Sequence, residues 1–179
     1  MADYHTPTVV QQTIPNADMT PLERLLLTNI FDADESGGEH YFYAEESPQT
    51  MLTLDKAELD AAIAASQEHP SSVLPAIQEQ LCRREPDQST IYLDLSGVSW
   101  ETIFQDVVRR SKTLKFISII SSFTCSKMEP NAFGGMAVVI TGTNIRGKST
   151  EDILEELLEE EEAGLFAPIS SEKDAPANV

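Results

Sequence analysis

Leu114-Lys115-Phe116-Ile117-Ser118-Ile119-Ile120-Ser121-Ser122-Phe123-Thr124 is the stretch on which the fold turns. It is rich in β-branched and aromatic side chains, which pack well on a pleated surface, so it reads as a long strand. Gly135 to Thr141 is apolar throughout and reads as a second, central strand. Pro130-Asn131 and Gly134-Gly135 stand between them, which is the punctuation of a long hairpin loop. Antiparallel pairing of these two strands is therefore expected.

Upstream, Ile91, Leu93 and Leu95 alternate with Tyr92, Asp94 and Ser96, the period of a strand. Next comes the clearest helix of the chain. Ser99 caps it, and Trp100, Ile103, Phe104, Val107 and Val108 follow the i, i+3, i+4, i+7, i+8 pattern of one apolar face. Strand, helix and strand from Ile91 to Phe123 predict a right-handed parallel crossover. With the hairpin after it, the sheet is expected to be mixed, with about 4–5 strands.

Residues 1–19 are polar, contain Pro7 and Pro15, and read as a flexible arm. Thr20-Pro21-Leu22-Glu23 is a helix start: Thr20 caps, Pro21 suits the first turn and Glu23 closes a capping box. Leu22, Leu25, Leu26 and Ile30 form its apolar face, and it ends near Asp32, ahead of Ser36-Gly37-Gly38. Tyr41-Phe42-Tyr43-Ala44 reads as a strand, pairing with Met51-Leu52-Thr53 in a short hairpin. Asp55 caps a helix to about Ser66, with Leu59 and Ile63 inward; Ser72 caps another carrying Leu74, Ile77 and Leu81. Ser149 or Thr150 caps a last helix with the stripe Ile153, Leu154, Leu157 and Leu158, ended by Gly164. The expected whole is one α+β (mixed α/β) domain over 20–166, with helices on at least one face of its sheet and a disordered tail at 167–179.

The 179 residues carry a net charge of −18, unevenly spread. Residues 1–50 hold 9 acids and 1 base, 51–100 hold 8 and 3, 101–150 hold 3 and 7, and 151–179 hold 10 and 1. One basic island thus sits between acidic flanks. Such a surface repels nucleic acid and anionic membrane and favours basic protein partners. The longest apolar runs, roughly five residues, are far short of a membrane span. Met1 to Gln12 has neither the basic flank nor the apolar core of a signal peptide. Cys82 and Cys125 have no metal-binding spacing, so reduced thiols in a cytoplasm are the expectation.

Gly142-Thr143-Asn144-Ile145-Arg146-Gly147-Lys148-Ser149 satisfies G-x-x-x-x-G-K-[ST] between a strand-like and a helix-like run. It resembles the Walker A loop of P-loop nucleotidases. The resemblance implies that Gly142 and Gly147 open backbone amides to phosphate, Lys148 bridges the β and γ phosphates and Ser149 holds Mg²⁺. The chain departs from that family in order. No strand follows to bring an acidic Mg²⁺ partner, and Asp94-Leu95-Ser96-Gly97, which resembles the D-x-x-G element, comes before the loop. Glu151 and Asp152 would also face a polyphosphate. The preferred account needs no ligand and no cofactor. Gly142 ends a strand, Gly147 permits a turn, Ser149 caps a helix, and Glu151 and Asp152 complement its dipole.

Asp32-Ala33-Asp34-Glu35-Ser36-Gly37 matches the start of an EF-hand calcium loop, but the eighth position is Glu39 and the twelfth is Tyr43 instead of a bidentate Glu. Asp32, Asp34 and Ser36 are left as weak metal candidates, against the default of a solvated acidic helix end. Arg109, Arg110, Lys112 and Lys115 cluster at the end of the clearest helix. They could grip phosphate or an acidic partner, or offset the helix dipole. The acidic run Glu155 to Glu162 could also fold over them. Asp94, at a strand end, and Cys125 with His5, His40 or His69 are lesser candidates.

The leading expectation is a small, acidic, non-enzymatic protein-binding or regulatory protein. Glu155, Glu156, Glu159 and Glu160, with Arg109 and Arg110, are its contact residues and its partner is basic. Nucleotide binding through 142–149 is the alternative, and an acidic inhibitor that mimics nucleic acid is a third. A homodimer through a sheet edge is a further expectation.

Overall fold

The computed structural model describes residues 3–83, 89–127, 129 and 132–164. Strands β1 (Tyr4–His5), β2 (Thr8–Val10) and β3 (Ile14–Pro15) precede helix α1 (Pro21–Ile30). Then come β4 (Asp32–Ser36), β5 (Glu39–Ala44), β6 (Met51–Asp55), α2 (Lys56–Ala65), α3 (Leu74–Cys82), β7 (Thr90–Asp94) and α4 (Glu101–Arg110). The chain continues through β8 (Phe116–Cys125), β9 (Gly134–Thr141), β10 (Ile145–Ser149) and α5 (Thr150–Glu162). This is an α+β fold, as expected. Its main sheet has eight strands, in the order β10-β9-β8-β2-β5-β3 with β1 on β8 and β4 on β5.

Every described strand pair is antiparallel, so the sheet is not mixed. The expected parallel crossover fails because its first strand lies elsewhere. β7 pairs with β6 in a separate ribbon, Leu52 opposite Leu93 and Leu54 opposite Ile91. All four side chains are buried, so the matched alternation of the two strands gives β7 a closer partner than the main sheet. The same pairing overturns the hairpin of 41–44 with 51–53.

β5 pairs instead with β4, through a Gly37-Gly38 turn in which both residues have positive φ, 63° and 82°. Such a two-residue turn matches the twist of the flanking strands and needs residues free of a Cβ penalty. The segment expected as a flexible arm supplies sheet strands. Thr8 and Val10 face Ser121 and Ile119 on β8, and Ile14 faces His40 on β5. Val10 and Ile14 are fully buried, which ties the segment down. The tail expected at 167–179 lies outside the described residues.

The β8–β9 hairpin forms as read, Ile119 opposite Val138 and Ile117 opposite Ile140. These inward side chains meet α4, whose Ile103, Phe104, Val107 and Val108 are all buried. Phe31, Phe42, Trp100 and Phe104 pack at the centre in edge-on and tilted contacts, with centroids 5.1–6.3 Å apart. Two caps differ from expectation. α3 starts after Val73 without a side-chain cap; Ser72 stands one residue outside that position and donates its N–H to Asp106 Oδ2 at 2.6 Å. α4 starts after Trp100, and Ser99 donates its hydroxyl to the Glu101 carboxylate instead.

Candidate functional site

The 142–149 run is a β-hairpin, not a curled loop. Thr141 donates its N–H to Asn144 O at 2.8 Å and its hydroxyl accepts the Asn144 N–H at 3.0 Å, closing the turn. Ile145 to Ser149 then runs extended along β9, Gly147 opposite Val138 and Lys148 opposite Ala137. In an extended strand successive N–H groups point to opposite sides, so they do not converge on one phosphate.

Gly147 therefore makes no turn, contrary to expectation. A Cβ there would come 3.2 Å from Val138 Cγ2, so glycine permits close cross-strand packing. Lys148 pairs with Glu156. Ser149 caps α5 as read. Its hydroxyl accepts the Asp152 N–H at 3.0 Å and Asp152 accepts the Ser149 N–H at 2.7 Å, a complete capping box. Those hydrogen bonds from Ser149 hold the Asp152 carboxyl below its usual range.

Asp32, Asp34 and Ser36 also lie on an extended strand, with Asp32 opposite Tyr43 and Asp34 opposite Tyr41. They do not wrap a cation, and no group of three His, Cys, Asp or Glu side chains among the described residues is placed to hold a metal. The Asp34 charge, first among several causes, pushes the Tyr43 hydroxyl above its ordinary value. Asp94 accepts the Ser96 N–H at 2.9 Å, and the Ser96 hydroxyl and N–H hold it below its ordinary value, as in a tight turn. Cys125 is buried and accepts the Lys127 N–H at 3.4 Å.

Arg109 and Arg110 each have an acidic partner in the fold, Arg109 half exposed and Arg110 mostly withdrawn. Arg109 pairs with Asp106 at 2.8 Å and donates to Gly142 O at 3.2 Å. Gly142 lies against α4, since a Cβ there would stand 3.4 Å from Arg109 Cα. Arg110 pairs with Glu23 and donates to Asp18 O at 3.4 Å. Glu23 completes the α1 capping box, accepting the Thr20 N–H at 2.8 Å. It is fully buried, and its Oε1 has no hydrogen-bond partner among the described residues. Burial outweighs Thr20 and Arg110 and raises its carboxyl above the ordinary value. The letters of the capping box were legible; the partner in α4 was not.

The acidic helix does not cover that island. α5 makes its main contacts with β9 and β10, and among the described residues its one ion pair is Glu156 with Lys148. Glu155, Glu159 and Glu160 are exposed. The expected stripe is exposed too: Ile153 is 44%, Leu154 56%, Leu157 45% and Leu158 56% accessible. Gly164, at φ 69°, ends the helix as read. At its first turn the helix borders a groove of about 450 Å³ between β1 and the loop end of the β8–β9 hairpin. Tyr4, His5, Phe123, Phe133, Glu151 and Leu154 line it. The groove joins elements far apart in the chain, so nothing local in the sequence signals it.

Among the described residues no helix is long and apolar enough to cross a membrane. No protein-family model matches this chain, and neither a curated protein nor a solved structure matches it.

Proposed function

We propose that this chain is a non-enzymatic protein-binding protein that engages a basic partner through α5. One observation carries the reading: unpaired, exposed acids are concentrated on α5, while Arg24, Lys112, Lys115, Lys127 and Arg146 are the described cations that form no ion pair. Arg109, Arg110 and Lys148 are each neutralised within the chain, by Asp106, Glu23 and Glu156. Glu151, Glu155, Glu159, Glu160, Glu161 and Glu162 form no ion pair among the described residues and are exposed. The field that a partner meets near α5 is therefore negative, and a basic surface is steered to it. Arg110, mostly withdrawn against Glu23, serves the fold, whereas Arg109 keeps a half-exposed guanidinium at the surface. The reading has the protein working in a reducing cytoplasm, which its free cysteines support.

The test is affinity capture on the full chain and on the triple variant Glu155→Lys, Glu159→Lys, Glu160→Lys. The reading expects a basic protein captured at low salt, lost in the triple variant and weakened at high salt. Capture that ignores the charge reversal would refute it.

A further inference from the structure

We infer that the apolar stripe of α5 and the groove beside it form a seat for an amphipathic helix whose flanks are basic. The inference rests on the reading above and specifies its partner. Ile153, Leu154, Leu157 and Leu158 occupy i, i+1, i+4 and i+5, which places them on one side of the helix. None is buried, although α5 is docked at its first turn. Leu154 belongs both to the stripe and to the groove with Phe123, Phe133 and Tyr4, so the two surfaces are continuous. The stripe runs from Ile153 to Leu158, about 8 Å along the helix axis, and the groove that shares Leu154 extends the apolar surface beyond it.

The charges choose the occupant. At helical spacing, Glu151, Glu155 and Glu162 run along one margin of the stripe, Glu160 and the Lys148-paired Glu156 along the other, and Glu161 closes the stripe at its C-terminal end. The complement is an apolar stripe bordered on both sides by Lys or Arg. A second copy would set glutamate rows against each other, between molecules of net charge −18. The chain's own residues 165–179 hold 2 acids and 1 base, so they do not supply a basic margin either.

The experiment is an anisotropy titration of the full chain into labelled designed peptides of about 18 residues, long enough to form a helix on contact. One peptide places Leu at helical spacing with Lys elsewhere. A second has the same composition with its leucines dispersed. The ordered peptide is expected to bind at least about tenfold more tightly than the dispersed one. Leu154→Asp with Leu158→Asp should lower its affinity by at least about tenfold, with the thermal midpoint unchanged. Ile153→Ala with Leu157→Ala, which favours the helix, should still weaken binding by about fivefold, so loss of helix is not the cause.

If both peptides bind equally, charge alone acts: the inference falls and the proposed function stands. If neither binds, both fall. Sedimentation should show a monomer; a dimer abolished by Leu154→Asp would assign the stripe to a second copy. Leu165→Asp with Phe166→Asp should leave affinity unchanged. A rise of about fivefold would assign it to the chain's own C-terminal segment.

Discussion

Helices α4 and α5 carry the same kind of sequence and end in opposite environments. Each has an apolar stripe on an otherwise polar helix. In α4 the stripe is covered, with Ile103, Phe104 and Val107 at zero exposure; in α5 no residue is buried. Their ends are opposite as well. α4 has no side-chain cap, whereas α5 has a full capping box and two acids in its first turn. α4 is held by what packs on it, and α5 is specified by its own first turn. A helix of this length is marginal on local signals alone. The stripe that would stabilise it further is left for another surface. Periodicity thus shows that a face is made to be covered, and not what covers it.

The largest expected effect tests the covered side. Phe104→Ala should cost about 3–5 kcal/mol in urea unfolding, because it removes a ring packed on Phe31, Phe42 and Trp100. Leu157→Ala in α5 should stay within about 0.5 kcal/mol. Comparable losses would mean that α5 is part of the core after all.

The buried ion pair gives the next effect. Arg110→Met leaves the Glu23 carboxylate buried without its cation and should cost about 3 kcal/mol at neutral pH. The sign of the pH dependence follows from the raised pKa of Glu23. In the native state the carboxyl takes up a proton more readily than in the unfolded chain, whose value is near 4.5. Its contribution is fully present below that value and is lost as pH rises through the native pKa. Unfolding of the wild type and of Glu23→Gln at pH 7 and pH 5 isolates it. The difference should move in favour of the wild type as pH falls, and a shift the other way would refute the assignment.

The two capping boxes sharpen the contrast. Thr20→Ala should cost about 1 kcal/mol of global stability, since α1 is built into the core. Ser149→Ala should leave global unfolding nearly unchanged and raise hydrogen exchange across 150–162 alone.

These differences also show what was legible in the sequence. Both capping boxes were readable because three or four neighbouring letters make them. The α4 stripe and the β8–β9 hairpin were readable because periodicity and strand composition are local. β4 was not: Asp32-Ala33-Asp34-Glu35-Ser36 has low β-propensity, and only pairing with β5 extends it. β1, β2 and β3 are strands of two or three residues whose partners in β8 and β5 lie far along the chain. The choice of β6 as the partner of β7 is equally non-local. At the candidate site, the exposure of Glu155 to Glu160 could be read. The withdrawal of Arg110 could not, because Glu23 is 87 positions away.

The smallest effect concerns the link between the two regions. Lys148 and Glu156 form the one ion pair of α5 among the described residues, and their side chains are 49% and 56% exposed. Water screens such a pair, and ordering two long side chains offsets much of the attraction. Lys148→Ala should therefore change stability by less than about 0.5 kcal/mol, and added salt should abolish even that. Hydrogen exchange in α5 should rise no more than twofold or so, well below the effect of Ser149→Ala. A larger effect from Lys148 than from Ser149 would reverse the comparison. α5 would then be held in place by its contact with β10 rather than by its own cap, and its exposed stripe would be oriented by the sheet edge.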